Sequence, residues 1–208
     1  MMIRNAIAVV ALASALVGCG ISLPGSGPAP DLYDLSPKST FPTDLPNVQW
    51  QLVVEDPTAA KGIDNDRLAI RPGPLELKYY PNIRWTDRAP IMIQSLLIES
   101  FENSGRIVAV GRRAIGLSGD YVLKPELREF QAETSADGAS ISVRVRLNLK
   151  LIRVTSGIII ASESFERVQP AKSDRPSDIV DAFDEALGGV LKRAVAWTLE
   201  QGEKDHRS

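Results

Sequence analysis

Cysteine and histidine each occur once in the 208 residues, at Cys19 and His206. A lone cysteine excludes an intramolecular disulfide. A single histidine in the polar stretch EKDHRS leaves no core imidazole for a metal site or for a Ser-His or Cys-His nucleophile. No catalytic, cofactor-binding or metal-binding residue is therefore assigned, and no enzyme activity is expected. An excess of one charge is missing as well: the net charge is −2, and −3 once Arg4 leaves with a cleaved leader, so nucleic acid is not an expected partner. Long apolar runs are missing too. The run from Ala6 to Leu16 is well short of the about 20 residues a membrane-spanning helix needs. What remains is an ordinary globular composition, 44% apolar and 24% charged, which suits one domain around one core.

The short apolar run has a specific form. Arg4 supplies a positive n-region, Ala6 to Leu16 an apolar h-region, and Leu16-Val17-Gly18 leads directly into Cys19. This resembles the lipobox of bacterial lipoproteins, which implies cleavage before Cys19, a diacylglycerol on its thiol and an acyl chain such as palmitate on its new amine. Residues 1–18 are then a signal peptide and residues 19–30, rich in Gly, Pro and Ser, a lipid-anchored flexible tether. Residues 31–200 form the folded domain and 201–208 a polar tail. By the sorting pattern of such lipoproteins, Gly20 in place of aspartate implies a periplasm-facing position in the cell envelope, anchored in the outer membrane.

Along the folded part, Val48 to Glu55 alternates apolar and polar residues and predicts a half-buried strand. Leu68 to Arg71 and Leu75 to Tyr80 flank Pro72-Gly73-Pro74 and predict a hairpin or two edge strands, with Leu75, Leu77 and Tyr79 on one face. A helix is expected after Thr86 or Asp87 as cap, with Pro90 in its first turn and Ile93, Leu96, Leu97 and Phe101 as its apolar stripe. Gln94, Glu99 and Glu102 fall away from the centre of that stripe, Gly105 is its stop, and Ile107 to Val110 predicts a short strand. The clearest signal is Ile141, Val143, Val145, Leu147, Leu149 and Leu151 alternating with Ser142, Arg144, Arg146, Asn148 and Lys150. With Tyr121 to Arg128 before it and Ile158 to Phe165 after it, this predicts a three-stranded antiparallel meander. On its outer face Glu126 is expected near Arg144 or Arg146. A last helix, from about Pro176 to Glu200, is capped by Ser173 or Asp174 and buries Ile179, Phe183, Leu187, Val190, Ala194 and Trp197. The fold class is therefore α+β, a mainly antiparallel sheet with two principal helices packed on one face.

Two surfaces stand out as candidates for binding. Arg144, Arg146 and Lys150 form a basic strand face that suits anionic headgroups or a partner, or is simply solvated. The stretch Tyr79 to Pro90 gathers aromatics and arginines on an expected strand-to-helix loop, and Tyr80, Arg84, Trp85 and Arg88 are the candidate partner contacts. The alternative is that Trp85 and Tyr79 plug the end of the core, with the arginines capping over them.

The run RLAIRPGPLELKYYPNIRWTDRAPIMIQSLLIESFENSG, with its tyrosine pair, Arg84-Trp85 and Pro90, together with Tyr33-x-Leu35, resembles the ABC-type transport auxiliary lipoproteins. That family includes the lipoprotein of the paraquat-inducible system and the auxiliary components of MCE (mammalian-cell-entry) lipid transporters. The resemblance covers about residues 31 to 200. It implies an accessory role beside an MCE-domain protein, a permease and an ATPase that move lipid between envelope membranes, acting by docking and not by catalysis. It carries no catalytic residues or cofactors and leaves homo-oligomers open. A lipid-carrying lipoprotein, which would need an internal apolar cavity, and an envelope lipoprotein with a structural role are the alternatives.

Overall fold

In the computed structural model, residues 29–113 and 119–208 are described; the leader, Cys19 and the tether up to residue 28 lie outside them. Nine strands form one mixed sheet, with β1 Asp31–Tyr33, β2 Val48–Val54, β3 Thr58–Ala59, β4 Arg67–Gly73, β5 Glu76–Trp85, β6 Ile107–Arg112, β7 Tyr121–Thr134, β8 Ile141–Arg153 and β9 Ile158–Pro170. Among the described residues two helices, α1 Ala89–Ser104 and α2 Pro176–His206, accompany the sheet. It is α+β, as the periodicities predict.

The sheet is organised on β7. One of its edges carries the long antiparallel ladder β7–β8–β9, whose turns use Gly138 (φ 71°) and Gly157 (φ 67°), both in the left-handed region that a side chain disfavours. Its other edge is shared by three short strands stacked end to end: β2 beside Tyr121 to Leu123, β3 beside Glu126 and Leu127, and β4 beside Ala132 and Glu133, all parallel to it. β5 continues antiparallel from β4, β1 lies parallel to β5, and β6 lies parallel to β2. Alternation marks β2 as a strand, but which strands pair in parallel leaves no local signature, because the partners are distant in sequence.

A bulge in β7 decides how the meander presents its charges. Leu127 pairs with Leu147, but Glu129 pairs with Arg146, so Arg128 is an extra residue and the inward face switches. Before the bulge Leu123 and Leu127 point inward; after it Phe130 and Ala132 do. Glu129, Gln131 and Glu133 thereby come opposite Arg146, Arg144 and Ser142. Glu126 faces Asn148 and shares a surface depression with Arg146, as expected, but its ion pair is with Arg128 at 3.0 Å.

The core is filled by large side chains. Trp50, Trp85, Phe101, Phe130 and Phe183 are fully buried, and the apolar stripes of both helices lie inside, apart from Trp197, which is half-buried against Phe165. Gln94 is also buried, contrary to its expected place off the stripe, because its amide donates to the Val54 carbonyl at 3.0 Å. α2 runs to His206, beyond the expected Glu200, and buries Gly202 against Trp50. Neither helix has a side-chain cap at its Ncap residue, so Thr86, Asp87, Ser173 and Asp174 do not act as caps. The Ncap residues are Arg88 and Arg175; the Asn65 carbonyl takes the Ala89 N–H at 3.0 Å, and Pro176 removes one free N–H at the start of α2.

Candidate functional site

β5 is longer than the sequence predicts and includes Tyr79 to Trp85 of the stretch assigned to a loop, while Arg88 is the Ncap residue of α1. Arg67 of β4 pairs with Arg84 of β5, but Ala69 pairs with Tyr79, so β5 carries a wide bulge across Tyr80 to Ile83. Pro81 has no N–H to offer a ladder, and Asn82 sits at φ 56°, in the left-handed region that asparagine tolerates better than most residues. The bulge brings Trp85 back to the inward face. Its ring lies 5.5 Å from Phe130 and 5.1 Å from Phe183, centroid to centroid, and it is 2% exposed. Trp85 is therefore a core residue.

The arginines on either side of Trp85 fasten a neighbouring loop. Arg84 Nη1 donates to Asp66 Oδ1 at 2.7 Å and Arg88 pairs with Asp64. The Trp85 N–H donates to the Asp66 carbonyl at 2.7 Å, and the Asn65 amide donates to the Lys61 and Gly62 carbonyls. Arg67 stacks over the Tyr79 ring at 3.7 Å, while the Tyr79 hydroxyl donates to the Gly62 carbonyl at 3.0 Å. Residues 61–67 are thus clamped onto the strand-to-helix junction. The Arg84 pair is about two-fifths exposed on each side and worth about 0–1 kcal/mol, so the backbone bonds and the buried indole do most of the fastening. Tyr80 is half-buried; burial, with the charge of Asp174 added, pushes its phenol above the ordinary value. Of the four candidates, Tyr80, Arg84 and Arg88 reach the surface. The sequence reading missed Asp64 and Asp66, whose acidic spacing around Asn65 was the available signal.

The basic strand face is an ion-pair belt. Arg144 donates to Glu133 at 2.9 Å and also pairs with Glu166; Arg146 pairs with Glu129 at 2.8 Å, and Arg71 approaches Glu129 at 3.7 Å. Gln131 links Glu129 and Glu133 through its amide. Burial pushes the Glu133 carboxyl up, but donation from Arg144 and Gln131 outweighs it and holds the pKa below the ordinary carboxylate value. Arg144 is held above its ordinary value, chiefly by Glu133. Two arginines that look available for anionic ligands in sequence are thus committed to carboxylates across the sheet. A belt of this kind orders a face; it does not by itself select a ligand.

At the opposite end of α2, Asp205 accepts from the Tyr121 hydroxyl at 2.8 Å and from Arg153 Nε at 2.9 Å. Donation from Arg153, and then from Tyr121, holds the Asp205 carboxyl below its ordinary pKa against the contrary effect of burial. The surface depressions have charged walls. One of about 570 Å³ is lined by Thr58, Ala59, Glu126, Arg128 and Arg146, and another of about 390 Å³ by Lys38, Arg167, Asp184 and Lys192.

Residues 33–195 match the family model for the ABC-type transport auxiliary lipoprotein component, which takes in almost all of the sheet and most of α2. The chain belongs to this family. A crystal structure of a Xanthomonas campestris protein superimposes on the auxiliary component with a TM-score of 0.81 at 31% identity, over 86% of this chain and 99% of that one. A second solved structure, of an uncharacterized protein, shares the fold with a TM-score of 0.58 at 14% identity, over 86% of this chain and 99% of that one. An uncharacterized protein of Bradyrhizobium diazoefficiens is 27% identical over 181 residues, 84% of this chain and 47% of that protein. The auxiliary component therefore spans about half the length of that curated relative. The family's description is that of an auxiliary lipoprotein component of ABC-type transport, and it names no catalytic activity.

Proposed function

We propose that this auxiliary component is the lipid-anchored, periplasm-facing accessory of an ABC-type transport system of the MCE kind, held at the outer membrane through acylated Cys19. Its work is docking: it positions the periplasmic end of the transporter beside a membrane, with an MCE-domain protein, a permease and an ATPase as partners and lipid as the cargo of the whole system. The observation that carries this reading is the family match from residue 33 to residue 195, which takes in nearly the entire folded domain. The interior supports docking over carriage of a lipid in the fold, since aromatic side chains fill the space between sheet and helices and the depressions have charged walls.

Tyr80, Arg84 and Arg88 are the proposed contact residues, with Trp85 supporting them from beneath. The clamp holds their backbone in place, so little ordering would accompany binding. The test is affinity purification of the full-length chain from envelope membranes, with mass spectrometry of both proteins and lipids. Co-purification of an MCE-domain protein, with loss of yield in an Arg84→Glu, Arg88→Glu variant, is the expected result. Stoichiometric lipid on a chain that brings down no transporter component would replace docking by lipid carriage.

A further inference from the structure

Both ends of the sheet present apolar side chains to solvent. At one end the β4–β5 turn carries Pro72, Pro74 and Leu75; at the other the β8–β9 turn carries Val154, Ile158 and Ile159. Leu75, expected on one face with Leu77 and Tyr79, is wholly exposed at 101%, whereas those two are half-buried. From Pro72 through Leu75 the turn bears no charge, and its two prolines stiffen it.

The strand registers tell which end the N-terminal segment approaches. β1 is parallel to β5 with Asp31 opposite Ile83, β5 is antiparallel to β4, and β4 is parallel to β7 with Ile70 opposite Ala132. Followed backwards from Asp31, the chain therefore heads toward the β4–β5 turn, at the end of the sheet where β7 enters its turn to β8. From Ile83 to Glu76 is seven residues of β5, at most about 23 Å at ~3.3 Å per residue.

Cys19 precedes Asp31 by twelve residues. Such a length has an extended limit of about 40 Å and a flexible-chain average of about 20 Å. The second figure already matches the distance to the Leu75 turn along the direction the chain takes. Arg67 faces Arg84 and Ile70 faces Ala132, which sets Asp31 near the level of Glu129. The end at Tyr121 is eight residues further along β7 in the opposite direction, about 26 Å, with the β8–β9 turn beyond it. Bringing that end to the membrane would require the tether to reverse and then span more than about 26 Å, beyond its flexible-chain average of about 20 Å.

We propose that the β4–β5 turn is a second contact with the bilayer, with Pro74 and Leu75 resting in the headgroup–acyl boundary and the Val154–Ile158–Ile159 end turned away from the membrane. The proposal rests on acylation of Cys19. A lipid anchor fixes where a domain is but not which way it faces, and a short apolar contact near the tether supplies the missing constraint. Because the turn itself is uncharged, the contact works through apolar burial and not through attraction to anionic headgroups.

The experiment uses the full-length chain, processed in a bacterial envelope and reconstituted into phosphatidylethanolamine–phosphatidylglycerol vesicles. Cys19 is the chain's one cysteine, so a thiol-reactive environment-sensitive dye labels a Leu75→Cys or Ile158→Cys variant uniquely when Cys19 is acylated. At Leu75→Cys the dye is expected to shift to the blue and to lose at least about half its intensity with spin-labelled lipids, as at a depth of ~5–10 Å. At Ile158→Cys it should stay water-like, and 0.5 M salt, roughly the range in which surface charge effects are screened, should change neither. Water-like emission at both sites, or stronger quenching at Ile158→Cys, overturns the orientation. Labelling of the wild-type chain shows instead that Cys19 is not acylated, and removes the anchor and this contact together.

Discussion

Gly202 of α2 lies against the face of Trp50 in β2, so close that a Cβ at this position would stand 2.4 Å from the indole Cζ2. The helix backbone meets the indole here with no side chain of its own in between. Gly202→Ala gains roughly 1 kcal/mol of helix propensity but forces a fully buried tryptophan to move, a cost of about 1–3 kcal/mol. The variant is expected to unfold at lower denaturant than wild type. Gly188→Ala meets only the Lys38 Cδ, at 4.0 Å, and should gain up to about 1 kcal/mol. Urea melts of the two variants side by side check both signs; equal behaviour would mean that the Trp50 contact is not close.

The Tyr121–Asp205–Arg153 cluster should make stability depend on acid pH. The folded Asp205 carboxyl sits below its unfolded pKa of about 4, so its contribution is complete above that value and disappears as the pH falls through the folded pKa. Asp205→Asn is expected to lower the melting temperature at pH 7 and to narrow its difference from wild type at pH 3. Tyr121→Phe, which removes one donor and keeps the edge-to-face packing on Trp50 at 5.0 Å, should cost about 1 kcal/mol. A Tm difference for Asp205→Asn that stays constant between pH 7 and pH 3 would contradict this assignment.

Asn82 holds the β5 bulge in a left-handed conformation. Asn82→Gly should therefore be neutral or slightly stabilising, whereas Asn82→Val should cost about 1–2 kcal/mol, because a β-branched residue is poorly accommodated there. The bulge returns Trp85 to the core, so the valine variant should also change the near-ultraviolet circular dichroism of the buried aromatic cluster. An unchanged spectrum and melting curve would show that the backbone at Asn82 is not constrained.

Cys19→Ala is expected to yield a chain that is neither acylated nor retained by membranes and whose folded domain melts like wild type. Fractionation after a high-salt wash, with mass spectrometry of the N-terminal peptide, is the check. Retention of the variant in the membrane fraction would put the anchor elsewhere in the chain.

Where one periodicity runs unbroken, the sequence was readable. Ile141 to Leu151 alternates without interruption, and β8 spans Ile141–Arg153; the apolar stripe from Ile93 to Phe101 is the buried side of α1. Readings failed where one residue shifts the pattern. The extra Arg128 in β7 brings Glu129 and Glu133, and not Glu126, into ion pairs with Arg146 and Arg144, and the bulge at Tyr80 to Ile83 turns an apparent loop into strand. Gln94 appeared to be a surface residue until the Val54 carbonyl became its partner.

By itself, then, the sequence determined the α+β class, the long antiparallel ladder, both helices and the family resemblance, because periodic burial and local turn chemistry are properties of neighbouring residues. Only the tertiary structure decided which short strands share the second edge of β7, which carboxylates hold Arg84, Arg88, Arg144 and Arg146, and that Trp85 faces inward. Those outcomes depend on pairings between residues far apart in the chain, where a single bulge redirects every side chain that follows it.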